Sequence, residues 1–92
     1  MIRSFRSSEL EKLWKAGRAL RFKTIDTQQI LDCLDVVDSA REPHDAAFTG
    51  FRFDEWTEGG SKRFGVMVSS HWLISFEWSD GDAIGVDLEH LT

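Results

Sequence analysis

Alternating apolar and polar residues mark the C-terminal third of the chain as three neighbouring β-strands. The alternation runs through residues 63–69, 72–78 and 83–88, and a period of two places the apolar side chains of each run on one face. The apolar positions are Phe64, Val66 and Val68, then Trp72, Ile74, Phe76 and Trp78, then Ile84, Val86 and Leu88. Residues 79–82, Ser-Asp-Gly-Asp, predict a hairpin turn, because Gly81 tolerates a positive φ. We therefore expect an antiparallel meander with one buried face.

Apolar residues spaced three and four apart predict two helices in the N-terminal half. The first helix is expected over residues 8–16, and Ser8-x-x-Glu11 at its start has the spacing of a capping box. The second is expected over residues 27–40. The apolar stripes consist of Leu10, Leu13 and Trp14 in the first helix and of Ile30, Leu31, Leu34 and Val37 in the second. The short connection between them predicts an antiparallel helical hairpin.

Weaker patterns complete the order of elements. Residues 1–6 predict a short first strand, residues 41–50 a loop around the only proline, and residues 51–57 a further strand that turns into the meander at 58–61. The predicted order is β-α-α-β-β-β-β. This is an α+β fold, in which two N-terminal antiparallel helices pack on one face of a mainly antiparallel β-sheet. A length of 92 residues predicts a single domain over residues 1–92.

The amino-acid composition argues against several classes of protein. The single cysteine, Cys33, excludes an intramolecular disulfide. The sequence has no apolar run of membrane-spanning length, and its first residues lack the apolar core that is typical of a signal peptide. We therefore expect a cytoplasmic protein that does not bind membranes. Residues 1–23 hold seven basic and two acidic residues, a balance of +5, whereas residues 24–92 hold four basic and fourteen acidic residues, a balance of −10. An acidic chain is unlike a general nucleic-acid binder, although its basic N-terminal third could contact an acidic partner.

Five segments, spread over nearly the whole chain, carry a resemblance to a known family. They are Met1-Ile-Arg-Ser-Phe5, Leu10-Glu-Lys-Leu-Trp-Lys-Ala-Gly-Arg18, Leu34-Asp-Val-Val-Asp-Ser-Ala40, Gly50-x-Arg52 and Phe76-x-Trp78-x-Asp80-Gly-Asp82-Ala83, and Trp72 matches as a single position. Together they resemble the RelE/HigB superfamily, on the plasmid-maintenance killer-protein branch of type II toxin–antitoxin systems. The resemblance implies a RelE-like fold and a ribosome-dependent mRNA interferase without a metal or other cofactor. It also implies a helix-turn-helix antitoxin as partner, with the ribosome and mRNA as targets.

The chain departs from that family at the positions that handle the phosphate. The resemblance places the family's basic and tyrosine side chains at Thr57, Met67, Leu73 and Leu91, and the chain has no tyrosine. None of these four side chains can stabilise a pentavalent phosphate. A displaced site would have to use the remaining groups. As candidates for such a site we select His90 as general acid or base, with Arg63, Lys62 and Arg52 supplying positive charge.

Each of these candidates also has a purely structural interpretation. His90 would be an exposed residue on the last strand, and Lys62 and Arg63 would form a solvated hairpin tip. Arg52 could bind phosphate, pair with Asp54 or contact an acidic segment of the antitoxin. For partner binding we select Arg18, Arg21, Arg52 and Trp56.

Two functions therefore remain open. The first is a HigB-like toxin, either an mRNA interferase with a rearranged site or a toxin that no longer cleaves. The second is a non-catalytic binding module on the same fold, which interacts with an antitoxin or another protein.

Overall fold

Two α-helices and a four-stranded antiparallel β-sheet make up the part of the protein that the computed structural model describes, residues 1–16, 27–49 and 52–91. The elements are α1 (Ser8–Ala16), α2 (Thr27–Ser39), a 3₁₀ helix (Pro43–Thr49), β1 (Phe53–Glu58), β2 (Ser61–Met67), β3 (Trp72–Ser79) and β4 (Asp82–His90). The strands follow one another across the sheet in the order β1-β2-β3-β4. The predicted α+β class is confirmed, and the helix bounds agree with the prediction to within one residue.

The meander forms as the alternating pattern predicts. Phe64 of β2 pairs with Phe76 of β3, so that two apolar side chains lie side by side on the same face. The hairpin between β3 and β4 turns through Asp80, with a φ of 51°, and Gly81, with a φ of 82°. Two consecutive positive φ angles define a type I′ turn, whose twist matches that of the flanking strands. The predicted turn is therefore confirmed.

A β-bulge interrupts the alternation in β4. The register of β4 on β3 shifts between Ser75 and Glu77, and Gly85 has the left-handed conformation, with a φ of 58°, that one class of bulge requires. Ile84 pairs with Glu77 and therefore lies on the face opposite the buried Val86. The alternating pattern placed Ile84 and Val86 on one face. That prediction was wrong, because it assumed an unbroken period of two.

The predicted first strand, residues 1–6, is reduced to two isolated bridges. Ile2 pairs with Ala83 and Phe5 with Val86, both in parallel orientation, beside β4. The amide of Ile2 donates instead to Asp38 Oδ1 of α2, at 2.8 Å. This N-terminal segment therefore joins the edge of the sheet to a helix, and only part of it behaves as a strand.

The helices contribute the core on one face of the sheet. The core unites Leu10, Leu13, Ile30, Cys33, Leu34, Val37 and Ala46 with Phe64, Val66, Val68, Ile74, Phe76, Ala83 and Val86. The cap of α1 is Ser7, whose Oγ accepts a hydrogen bond from the amide of Leu10 at 3.2 Å. The cap lies one residue before the predicted Ser8, and the predicted capping box does not form, because Leu10 stands where the box requires a glutamate or glutamine. The longest described helix has 13 residues, and none of the described helices is long and apolar enough to cross a membrane.

The predicted loop over residues 41–50 contains the 3₁₀ helix, which sequence patterns did not predict. Asp45 Oδ2 accepts hydrogen bonds from the amides of Arg41, at 2.9 Å, and Glu42, at 3.3 Å. These bonds satisfy backbone donors at the start of the turn, as aspartate commonly does. Ala46 is completely buried in the core. This segment therefore covers part of the sheet beside α2.

Phe76 provides a direct test of this core. It is 0% exposed and lies in the middle of β3. We expect Phe76→Ala to lower the free energy of unfolding by about 3–5 kcal/mol, since truncation leaves a cavity. Leu91→Ala serves as the control, because Leu91 is 41% exposed, and should change stability by less than about 0.5 kcal/mol. Urea denaturation measures both, and similar small effects would contradict the position of Phe76.

Candidate functional site

The face of the sheet opposite the core carries a second set of side chains, most of them from β2, β3 and β4. Strand alternation and register place on it Trp56 of β1, Arg63, Gly65 and Met67 of β2, Leu73, Ser75 and Glu77 of β3, and Ile84, Asp87 and Glu89 of β4. We call this surface the open sheet face. It includes the two strand positions, 67 and 73, at which the resemblance implies arginines.

Arg63 lies on the open sheet face but is completely buried, with 0% exposure. Its Nη1 donates to Glu77 Oε2 at 3.1 Å, and its Nη2 donates to Ser75 Oγ and to the carbonyl oxygen of Gly85, each at 2.9 Å. Burial of a charge is costly unless the charge is paired and hydrogen-bonded. These contacts meet that need and join β2, β3 and β4. The prediction that Arg63 belongs to a solvated hairpin tip was therefore wrong.

A second carboxylate extends this set of contacts. Ser75 is also 0% exposed, and its hydroxyl donates a short hydrogen bond to Glu89 Oε2. The four side chains Glu77, Arg63, Ser75 and Glu89 thus form one chain of hydrogen bonds, which we call the Arg63 network. Among the described residues, Arg63 Nε is the one buried side-chain nitrogen or oxygen atom without a hydrogen-bond partner. The guanidinium therefore presents no accessible donor to a phosphate.

An apolar patch lies beside the Arg63 network. Met67 and Leu73 are directly paired in the sheet, and Leu73 is only 5% exposed. Trp56 and Leu73 lie over Gly65, where an added Cβ would stand 3.0 Å from Trp56 Cη2 and 2.7 Å from Leu73 Cδ1. A larger residue at this position would therefore force the Leu73 side chain, and to a lesser extent Trp56, to shift. Trp56 is half-buried, with its Nε1 donating to Glu58 at 3.3 Å.

His90 lies away from Arg63. It pairs with Trp72 at one end of β3, with the two rings 4.6 Å apart, whereas Arg63 pairs with Glu77, five residues further along. Five residues of strand correspond to about 17 Å. Alternation also places Trp72 and Glu77 on opposite faces of β3. The structure does not bring His90 and Arg63 into one site.

The other predicted residues are also dispersed. Arg52 is exposed, and its Nε lies 2.9 Å from Asp54 Oδ2. Pairing with Asp54 was one of the three interpretations of Arg52 that the sequence left open. Lys62 is exposed at the β1–β2 hairpin. Arg18 and Arg21 lie outside the described residues.

Lys62 belongs to a cluster that sequence reasoning missed. Its Nζ lies 3.3 Å from Glu55 Oε2, and His44 Nε2 lies 3.4 Å from Glu55 Oε1. The hydrogen bond with Lys62 is the main cause that lowers the pKa of Glu55 below its usual 4.5, and His44 adds to it. His44 also contacts Phe53, with ring centroids 5.4 Å apart. No local motif could reveal this cluster, because the unpredicted 3₁₀ helix supplies His44.

Positive charge on the described residues is largely neutralised within the molecule. Of their eight lysines and arginines, six lie within ion-pair distance of a carboxylate: Arg3, Arg6, Lys15, Arg52, Lys62 and Arg63. In the same ranges, no group of three or more His, Cys, Asp or Glu residues could hold a metal ion. Burial raises the pKa of the Cys33 thiol to about 12, so it remains protonated at neutral pH and is a poor nucleophile.

Comparison with known proteins adds no family to this description. No protein-family model matches the chain, and no curated protein matches it. The resemblance to the RelE/HigB superfamily therefore depends on the sequence segments quoted above.

Exchange of Arg63 for lysine tests the Arg63 network. Lysine keeps the charge but lacks the planar fork that reaches Glu77, Ser75 and Gly85 at once. We expect Arg63→Lys to lower the free energy of unfolding by about 1.5–3 kcal/mol, the range for hydrogen bonds to charged groups. Lys62→Met, at the exposed neighbouring position, should cost less than about 1 kcal/mol. Chemical denaturation compares the two variants, and equal losses would contradict a structural role specific to Arg63.

The Glu55 cluster predicts a pH effect. By NMR titration the Glu55 carboxyl should have a pKa below 4.5, and Lys62→Gln should raise it more than His44→Gln does. Because the pKa is lower in the folded state, the carboxylate stabilises the fold above pH 4.5, and this contribution is lost as the pH falls through the lowered pKa. A Glu55 pKa that Lys62→Gln leaves unchanged would show that the ion pair does not form in solution.

Proposed function

We propose that this protein is a RelE/HigB-like toxin of a type II toxin–antitoxin module that acts in the cytoplasm by binding, without cleaving mRNA. The observation that carries the second part of this proposal is the burial of Arg63. Its guanidinium is 0% exposed and already bonded to Glu77, Ser75 and Gly85. No other Lys or Arg of β2, β3 or β4 lies on the open sheet face.

Cleavage of RNA by a metal-free enzyme sets clear requirements. A group must activate the 2′-hydroxyl, a cation must stabilise the charged phosphate, and an acid must protonate the leaving oxygen, all within reach of one phosphate. On the open sheet face the accessible carboxylates are Glu77, Asp87 and Glu89, and the cation beside them, Arg6, is already ion-paired with Asp87 and Glu58. Like charge repels a phosphate. This face therefore supports a protein-binding role better than a catalytic one.

The partner in this proposal is a helix-turn-helix antitoxin, as the resemblance implies. The net charge of −5 and its uneven distribution favour an association that depends on salt concentration. Arg52 is already paired with Asp54. To bind a carboxylate of the partner, Arg52 would have to give up its ion pair with Asp54. Trp56, half-buried at the edge of the open sheet face, keeps part of its ring accessible, and tryptophan is a residue type that often anchors interfaces.

One observation favours the second candidate, an mRNA interferase with a displaced site. The exposed cluster of Lys62, Glu55 and His44 combines a cation, a carboxylate and an imidazole within about one side-chain length of each other. These are the types of group that general acid–base cleavage uses. The cluster lies on the side of the sheet that bears the helices, because Glu55 pairs with the core residue Phe64. A nuclease function would have to place RNA there.

Induced expression without an antitoxin tests both candidates. We expect growth arrest without new mRNA 5′ ends, since loss of even one oriented charge stabiliser costs about 10²–10³ in rate. Lys62→Ala and His44→Ala should arrest growth as the unchanged protein does, and His90→Ala serves as a further comparison.

Three outcomes would change this assignment. New 5′ ends that disappear in Lys62→Ala and His44→Ala would establish the displaced nuclease site. New 5′ ends that disappear in His90→Ala would place the site at the end of β4 instead. Normal growth with unaltered mRNA would contradict a toxin and favour the non-catalytic binding module.

A further inference from the structure

A groove of about 740 Å³ lies between the C-terminal half of α2 and the 3₁₀ helix. Its apolar surface comes from Val36, Ala40 and Ala47. The polar residues that line it are the carboxylates Asp35 and Asp45, with Ser39 and His44. The groove is open to solvent. Small-molecule sites instead enclose most of their ligand. An open groove of this kind fits a segment of another protein, such as an amphipathic helix.

The electrostatics of the groove favour a cation. The last turn of α2 contains no basic residue, so no side chain within that turn compensates the negative end of the helix dipole. Arg41 follows two residues after the helix. Asp35 is exposed in this part of α2, and its carboxylate has no hydrogen-bond or ion-pair partner among the described residues. Asp45 has only backbone amides as partners. Both carboxylates are therefore available to a positively charged ligand.

The charge of this region differs from that of the sheet. Residues 27–49 hold five acidic residues and one basic residue, Arg41, a balance of −4 without His44. In β1, by contrast, Asp54, Glu55 and Glu58 are each paired with a cation of the protein itself. The carboxylates that lack such cations are thus concentrated along α2 and the turn that follows it. This is the surface on which a basic partner gains the most from ion pairing.

We propose that the groove between α2 and the 3₁₀ helix binds a basic amphipathic segment of a partner protein. Apolar side chains of that segment lie on Val36, Ala40 and Ala47, and its lysines or arginines contact Asp35 and Asp45. The long stems of these basic side chains can cover apolar surface while their charged ends reach the carboxylates. The proposal depends on the proposed function only in the identity of the natural partner, the antitoxin.

A synthetic peptide tests this site without knowledge of the natural partner. The probe is a fluorescein-labelled amphipathic helix of leucine and lysine, and its counterpart of leucine and glutamate is the comparison. We expect the lysine peptide to bind, by fluorescence anisotropy, with an affinity that falls as salt is added. The glutamate peptide should not bind. Amide NMR shifts should move for residues 35–40 and 44–47 and stay unchanged in β2 and β3.

Two charge reversals of equal size provide the control. Asp35→Lys, in the groove, should weaken binding of the lysine peptide by about tenfold or more, or about 1.4 kcal/mol. Glu9→Lys makes the same change at an exposed position in the first turn of α1 and should alter binding by less than about twofold. Both positions are exposed, so neither change removes core contacts.

Other results would overturn the proposal. Absence of binding, equal weakening by the two reversals, or NMR shifts confined to the open sheet face would each exclude the groove as the docking site. Equal weakening would indicate attraction to the acidic protein as a whole. None of these results bears on growth arrest, which tests the toxin function separately.

Discussion

Arg63 extends across three strands with its guanidinium removed from water, and Glu77, Ser75 and the carbonyl of Gly85 occupy its donors. Such a group is costly to bury, and its partners offset that cost only when all of them are in place. The register of β4 and its bulge are therefore tied to a side chain of β2. Arg63 is also the only cation that β2, β3 and β4 place on the open sheet face. Because its guanidinium is buried and bonded, it cannot contact a phosphate.

The bulge at Gly85 links this network to the start of the chain. The carbonyl of Gly85 accepts from Arg63, while its amide donates to Ser4 Oγ at 2.9 Å. A bulge leaves backbone groups outside the regular ladder, and here both groups of one residue find partners from distant parts of the sequence. The N-terminal segment thus completes the hydrogen bonding of the irregular position that the buried arginine requires.

The sequence predicted the parts of the fold that depend on repeating patterns. Alternation located β2 and β3, and three–four spacing located both helices, because each pattern directly reflects which side chains are buried. The bulge escaped prediction because one inserted residue reverses the alternation after it, as Ile84 shows. The other features that escaped prediction depend on contacts between residues far apart in the sequence. Nothing local distinguishes the buried Arg63 from its exposed neighbour Lys62, and no pattern could bring His44 to Glu55.

The parallel bridges beside β4 have a consequence for the order of folding. The hairpins of the meander join residues close in sequence, and closing such short loops costs little entropy. The contact between Ser4 and Gly85, in contrast, spans 81 positions of the sequence. Contacts of such long range form slowly. We therefore expect the meander to assemble first and the N-terminal segment to join its edge last, so that newly made chains expose the outer edge of β4 for a time.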